Sequence, residues 1–143
     1  MLRKILLIKL LLLPTLLIGQ ARLKGSFIST HYIRWVYNRR TQKDDQYNGL
    51  KGTLLIIKFS EGKIDIMRAK GFNQQNYVII SVTFTERNID SSLRVKEFTY
   101  NLKDKYGRPV LLLASVEDKG RDFKFDFFKG YTERTTYTNC SEL

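Results

Sequence analysis

Apolar and polar side chains alternate along most of the chain after Gly25, in short stretches separated by polar, turn-forming clusters. Successive side chains of a strand point to opposite faces, so a period of two predicts strands with one buried face. No stretch of about a dozen residues sustains the 3.6-residue period of an amphipathic helix. The pattern therefore predicts an all-β chain.

Eight strands are predicted from this alternation. They cover Ser26–Asn38, Thr53–Phe59, Lys63–Ala69, Tyr77–Thr85, Leu93–Leu102, Pro109–Val116, Asp122–Lys129 and Tyr131–Thr138. The polar stretch Thr41–Gly49 is predicted to be a loop. Gly62 can adopt the positive φ of a tight turn, so the second and third strands should form a hairpin. The apolar positions change phase near Lys96 and Glu97, which predicts a bulge there.

Short turns without crossover helices favour an antiparallel meander of about eight strands. We expect a small barrel, closed or partly closed, and the alternative is a sandwich of two sheets. An eight-stranded barrel holds its own side chains or one small ligand. The predicted inward side chains are bulky, so we expect a largely filled interior with at most a pocket at one mouth. They are Phe27, Ile33, Trp35, Leu55, Ile57, Phe59, Ile64, Ile66, Val78, Ile80, Val82, Phe84, Phe98, Tyr100, Leu102, Val110, Leu112, Phe123, Phe125 and Phe127.

The N-terminus has the layout of a secretory signal peptide. Two cations precede the apolar run Ile5–Ile18, and Gly19-Gln20-Ala21 places small residues where a signal peptidase cuts. We expect residues 1–21 to be a cleaved signal peptide and residues 22–143 to be a single β-barrel-like domain. The protein should then be periplasmic or secreted.

An uncleaved membrane anchor is the main alternative for this segment. A transmembrane helix needs about 20 apolar residues. The run here is shorter and contains Lys9 and Pro14. Both features favour a cleaved leader.

Basic residues outnumber acidic ones in the chain, which has a net charge of +11. The predicted leader contains three cations and no carboxylate, so residues 22–143 keep 22 basic and 14 acidic side chains, a net charge of +8. A basic domain attracts anionic partners. We expect a polyanionic glycan, a lipid or an acidic protein as partner. No nucleic acid is expected, because the chain has no recognisable nucleic-acid-binding motif, and membrane contact is expected only through the leader if it is uncleaved.

One strand and its exit interleave aromatic rings with guanidinium groups, a combination that suits sugar stacking and anion binding. Alternatively, the aromatic rings point into the core while the arginines protect an edge strand from pairing. The candidate ligand-binding residues are Tyr32, Arg34, Trp35, Tyr37, Arg39 and Arg40.

Candidates for catalysis or metal binding are few. His31 is the single histidine and Cys140 the single cysteine. Zinc sites need several such ligands, and no glycine-rich phosphate loop precedes a helix. Cys140 lies beyond the last predicted strand, so it should be a free thiol or a handle for an intermolecular disulfide. We therefore expect no metal, no cofactor and no catalytic residue.

Three features of the chain occur together: a leader ending in Gly19-Gln20-Ala21, the hairpin Ile57–Ile66, and Tyr100–Gly107 before a hydrophobic strand. In these features the chain resembles short exported β-rich proteins of gut Gram-negative bacteria. The resemblance implies export and β architecture and no particular activity. The order of elements is also similar to lipocalin-like domains, which implies ligand binding inside the barrel. Lipocalins carry Gly-x-Trp on the first strand, whereas this chain has Gly25-Ser26-Phe27, so no binding residue is transferred.

Two functions are compatible with these observations. The first is a non-enzymatic binding or interaction module of the cell envelope that holds an anionic or amphipathic ligand. The second is a small secreted hydrolase that uses loop carboxylates, with a concave pocket lined by two or more of them as the distinguishing feature. The carboxylates available for it are Asp44, Asp45, Glu117, Asp118 and Asp122.

Overall fold

The computed structural model describes residues 22–29, 31–49, 54–68, 74–117 and 122–143, and the predicted signal peptide lies outside these ranges. Within them the regular structure is entirely β, and no helix has the length and apolar character needed to cross a membrane. The ten strands are β1 Gly25–Ser29, β2 His31–Asn38, β3 Lys43–Asn48, β4 Leu55–Ser60, β5 Lys63–Arg68, β6 Gln75–Asn88, β7 Arg94–Asp104, β8 Pro109–Glu117, β9 Phe123–Lys129 and β10 Glu133–Glu142.

Eight of these strands form a closed antiparallel barrel. They are hydrogen-bonded in the order β1-β4-β5-β6-β7-β8-β9-β10, and β10 pairs with β1 to close the ring. The predicted all-β meander and small barrel are confirmed. The other two strands, β2 and β3, form a hairpin that extends the sheet from β10.

β1 and β2 lie end to end along β10, and the inward face changes between them. Phe27 and Ser29 of β1 are buried, and in β2 the side chain of Tyr32 packs against the core. The inward positions thus have odd numbers in β1 and an even number in β2, whereas regular alternation would keep one parity. The expectation that Ile33 and Trp35 point inward is wrong, because both follow this change.

β10 makes the matching change at the same level of the barrel. Its register against β9 shifts between Tyr137 and Cys140, and Asn139 there has a φ of 52°. A bulge of this kind adds one residue to a strand and reverses its alternation. Cys140 is thus fully buried within β10, and the expectation that it lies beyond the last strand is wrong.

A buried hydroxyl spans the two changes of face. Ser29 Oγ is within hydrogen-bonding distance of the carbonyl oxygens of His31, at 2.9 Å, and Thr138, at 3.2 Å. Ser29 is fully buried, so these contacts replace the water that its hydroxyl and the irregular backbone would otherwise bind. The side chain of Ser29 thereby connects the first strand to the last.

Aromatic rings fill the half of the barrel that contains β1. Phe27 lies at the centre, with ring centroids 5.0 Å from Phe123, 5.2 Å from Phe125 and 5.6 Å from Phe59. Edge-to-face pairs of this kind add to the energy of burying the rings. The filled interior expected from the sequence is present in this half.

Three predicted core residues on β6 are exposed: Val78 by 55%, Ile80 by 57% and Phe84 by 37%. The inward side chain at the start of β6 is Tyr77, which places Val78 on the outer face. A bulge follows between Ile79 and Ser81. β5 pairs with β6 only as far as Val78, so Phe84 lies on a part of β6 that extends past the barrel wall.

The hairpin predicted around Gly62 is confirmed, since β4 and β5 pair from Ser60 and Lys63 outward and Gly62 has a φ of 73°. The predicted bulge near Lys96 and Glu97 is wrong. β7 pairs with β8 without a shift, and the apolar phase changes because Val95 is buried on the opposite face from Phe98.

The predicted loop Thr41–Gly49 contains β3, which pairs with β2 over its whole length. Its side chains are polar and mostly exposed, so it lacks the alternation by which a strand is identified from sequence.

Truncation of two phenylalanines should separate the barrel interior from the extension of β6. Phe125 is fully buried, so Phe125→Ala should lower the free energy of unfolding by about 3 to 5 kcal/mol. Phe84 has one ring neighbour, Phe98 at 4.9 Å, and Phe84→Ala should cost only about 1 kcal/mol. Urea denaturation of both variants measures the difference. Equal losses of unfolding free energy in the two variants would show that Phe125 and Phe84 are buried to the same extent, which contradicts the structure.

Candidate functional site

A cavity of about 720 Å³ opens at the mouth of the barrel opposite to the aromatic core. This volume falls within the roughly 300 to 1,000 Å³ of small-molecule sites. The mouth is the end at which β4, β6, β8 and β10 begin and β5, β7 and β9 end. Its lining includes Tyr32, Arg34, Leu55, Ile66, Gln75, Asp104, Arg108, Val110, Lys129, Glu133, Thr135 and Tyr137.

The change of face between β1 and β2 divides the candidate ligand-binding residues. Tyr32 and Arg34 line the mouth cavity. Trp35 and Tyr37 alternate with them and lie on the other face of β2, where the guanidinium of Arg134 stacks 4.1 Å above the Trp35 ring. Arg39 and Arg40 belong to the turn between β2 and β3. The six residues therefore do not form one surface.

A glycine fixes the position of the Tyr32 ring in the cavity wall. Gly49 donates its N–H to the carbonyl of Tyr32 at 2.9 Å. A Cβ on Gly49 would lie 2.3 Å from Cε1 of Tyr32, closer than any real side chain can approach. Tyr137 packs on the ring as well, with its centroid 5.7 Å away. The Tyr32 ring is thus held between β10 and the end of β3.

Apolar side chains form the floor of the cavity. Leu55, Ile66 and Val110 each belong to the buried core and line the cavity as well. They come from β4, β5 and β8, three strands that meet at this mouth. The floor can therefore bury the apolar part of a small molecule.

Two ion pairs lie on the cavity wall. Arg34 Nε is 2.8 Å from Glu133 Oε1, and Arg108 Nε is 2.8 Å from Asp104 Oδ2. Each pair joins neighbouring segments: β2 with β10, and the turn after β7 with the end of β7. The charges of these four side chains offset each other.

Lys129 is the cation of the lining that has no carboxylate partner within the described ranges. Its ammonium lies 6.0 Å from the ring centroid of Tyr77. Sequence reasoning missed this residue, although a signal existed: Phe123, Phe125 and Phe127 alternate inward along β9, and Lys129 is the next position in that phase. The same alternation therefore predicts that Lys129 points inward at the mouth.

The turn between β7 and β8 is organised by Asp104. Its Oδ1 accepts the backbone N–H groups of Tyr106 and Arg108, each at 2.9 Å. Burial would raise the pKa of the carboxyl, but these hydrogen bonds and the charge of Arg108 hold it below its ordinary value. Asp104 is therefore ionised at neutral pH.

The side chain of Tyr77, next to Lys129, is uncharged. Burial raises the pKa of Tyr77 well above its ordinary value, and the negative charges of Asp104 and Glu133 raise it further. Its hydroxyl donates to Gln75 Oε1 at 2.9 Å. Tyr77 thus places no negative charge against Lys129.

The two residues considered for nucleophilic chemistry have different environments. His31 is exposed at the start of β2. Cys140 is fully buried, and burial raises the pKa of its thiol to about 12. A buried, protonated thiol is a poor nucleophile and is inaccessible to a second chain. In the parts of the chain that the structure describes, no group of three or more His, Cys, Asp and Glu side chains could hold a metal ion.

Comparison with known proteins gives no relative from which a function could be transferred. A scan against protein-family models, a search of curated proteins and a search of solved structures each returned no match. The resemblances expected from the sequence thus stay predictions.

Asp104→Asn should make the protein less sensitive to acid. The pKa of Asp104 is lowered in the folded state, so its contribution to stability is present above the unfolded pKa and disappears as pH falls through the folded pKa. The melting temperature of the wild type should therefore fall between pH 5 and about pH 2 by more than that of the variant. Calorimetry across this range measures both slopes. Parallel slopes would contradict the assignment of Asp104 to this titration.

Proposed function

We propose that this protein is a non-enzymatic binding protein that holds a small amphipathic anion in the mouth cavity. The observation that supports it most strongly is the placement of Lys129, a cation without a carboxylate partner in the described residues, above an apolar floor. An amphipathic ligand needs both features in one cavity, since its apolar part must leave water while its charge keeps a counter-ion.

The balance of charge in the lining favours an anion over a cation. Arg34 is paired with Glu133, and Arg108 is paired with Asp104, which leaves Lys129 as the excess charge. An ammonium next to a ligand carboxylate or phosphate forms a charge-assisted hydrogen bond. The proposed ligand is oriented with its anionic group at Lys129 and its apolar part on Leu55, Ile66 and Val110.

Location in the periplasm or outside the cell is part of the same proposal. It rests on the leader expected in residues 1–21, which lie outside the described residues. The basic character of residues 22–143 belongs to the domain itself and suits the anionic molecules of the cell envelope. A glycan, a lipid or an acidic protein are the partners expected from the sequence, and the mouth cavity favours the lipid class among them.

The alternative of a hydrolase has a supporting observation at the mouth: two carboxylates, Asp104 and Glu133, line the cavity. Each of them is bound to an arginine. A general acid needs a raised pKa to hold its proton at neutral pH, whereas the pKa of Asp104 is lowered. A second hollow on the outer face of β7, β8 and β9 is lined by four carboxylates and meets the same criterion: Glu97, Asp126 and, from the predicted set, Glu117 and Asp122. Binding without catalysis is the better account of the mouth.

Removal of the charge of Lys129 tests the proposal. Decanoate and its uncharged analogue decanol are titrated into wild type and Lys129→Gln by isothermal calorimetry. Loss of one charge-assisted hydrogen bond should weaken decanoate binding by roughly tenfold or more and leave decanol binding unchanged.

Lys103→Gln is the matched control, because Lys103 is an exposed lysine on the outer wall of β7. It should bind decanoate like the wild type. The proposal is wrong if wild type binds neither compound, or if the Lys103 and Lys129 variants lose affinity equally.

A further inference from the structure

The turns at the two ends of the barrel differ in charge. Three described turns surround the mouth, at residues 39–42, 105–108 and 130–132. They carry the cations Arg39, Arg40, Lys105 and Arg108 and no carboxylate. The described turns at the opposite end, at residues 61–62 and 89–93, carry Glu61 and Asp90 and no cation. The described turns are thus basic at the mouth and acidic at the opposite end.

Exposed tyrosines stand on the same rim. Tyr106 is 70% exposed and Tyr131 is fully exposed, and they are the two most exposed aromatic side chains of the described residues. Lys105 Nζ and Arg108 Cζ each lie 5.0 Å from the centroid of the Tyr106 ring. Tyrosine with lysine and arginine is the combination found where proteins meet the headgroup region of a membrane.

The rim turns are held in place by local hydrogen bonds. Asn38 Oδ1 accepts the N–H of Arg40 at 3.0 Å, and its amide donates to Asp45 at 2.8 Å. The N–H of Tyr37 donates to the carbonyl of Thr132 at 2.7 Å, which ties the β2–β3 hairpin to the turn before β10. The turn after β7 is organised by Asp104. The backbone that carries the cations is therefore held in place around one opening.

We infer that this rim, formed by Arg39, Arg40, Lys105, Tyr106, Arg108 and Tyr131, docks on an anionic lipid surface with the mouth cavity facing the lipid. The inference rests on the proposed function, because the docked orientation opens the cavity towards a source of amphipathic anions. Each cation near such a surface contributes about fivefold to the partition coefficient, and the tyrosines enter the headgroup region. The cations and tyrosines of the rim set the orientation, because they lie together at one end of the barrel.

The carboxylates behind the rim cancel one of its four cations, because Arg108 is paired with Asp104, and they leave Arg39, Arg40 and Lys105 without an ion pair in the described residues. Asp104 and Glu133 are each paired with an arginine. Asp44 and Asp45 lie on β3 beside Lys43, and Asp45 accepts the hydrogen bond from Asn38. The excess of cations on the turns is therefore what an approaching surface meets first.

Vesicle sedimentation tests the docking. Residues 22–143 are mixed with phosphatidylglycerol vesicles and with phosphatidylcholine vesicles at low salt and at about 1 M salt, where the screening length falls to about 3 Å. We expect binding to the anionic vesicles at low salt and its loss at high salt. The variant Arg39→Gln/Arg40→Gln/Lys105→Gln should lower the partition coefficient by roughly 100-fold.

The matched control removes the same charge from the barrel wall and the opposite end. Lys24, Lys58 and Lys103 are exposed and form no ion pair within the described residues, so Lys24→Gln/Lys58→Gln/Lys103→Gln should keep most of the binding. Equal losses in the two triple variants would show attraction by net charge alone and overturn the oriented docking. Binding of wild type to neither vesicle would overturn it as well.

A single variant separates this inference from the proposed function. Lys129→Gln should lose far less vesicle binding than Arg39→Gln/Arg40→Gln/Lys105→Gln, because it removes one charge instead of three and Lys129 lies inside the mouth behind the rim turns. If decanoate binding depends on Lys129 but no variant or salt affects sedimentation, the ligand site stands and the docking fails. If sedimentation follows the rim while decanoate does not bind, the docking stands and the ligand site fails.

Discussion

The set of inward residues changes between β1 and β2, and it changes at the same height in β10. The layout of the mouth depends on these two changes occurring together. A change of face in β1 and β2 alone would break their pairing with β10. The bulge before Cys140 prevents this, because it moves β10 by one residue at the same place. The buried hydroxyl of Ser29 connects the two irregular backbones. The segment formed by β1 and β2 therefore has two roles. Its first half, β1, pairs with β4 and closes the barrel, and its second half, β2, pairs with β3 outside the barrel.

This division gives the two halves of the interior different roles. In the half that contains β1, Phe27 and its neighbouring rings fill the barrel. In the other half, the inward positions of β2 are Tyr32 and Arg34, and β9 ends with Lys129. The mouth is thus lined by polar and charged groups over an apolar floor. A barrel of uniform alternation would have placed Ile33 and Trp35 there and closed the cavity with apolar side chains.

The fold class could be predicted from the sequence because it depends on local alternation, which is visible in β4, β5, β8 and β9. The predictions are wrong where pairing between distant segments determines whether a segment is a strand or which face of it is buried. β3 is polar and is a strand only because β2 lies beside it. Phe84 alternates like a core residue, but its strand extends past the wall that would cover it. The direction in which Trp35 points depends on a bulge in β10, about a hundred residues away in the sequence. The alternation within one strand gives no information about such a bulge.

The position of Gly49 against Tyr32 gives the most direct test of this account. One Hα of Gly49 occupies the place of the absent Cβ and therefore lies against the Tyr32 ring. In a proton NMR spectrum of residues 22–143, we expect this Hα to be shifted far upfield by the ring current, with nuclear Overhauser contacts to the Tyr32 ring protons. A Gly49 Hα at its random-coil position without such contacts would show that the Tyr32 ring does not lie over Gly49 in the wall of the mouth, and would contradict this account.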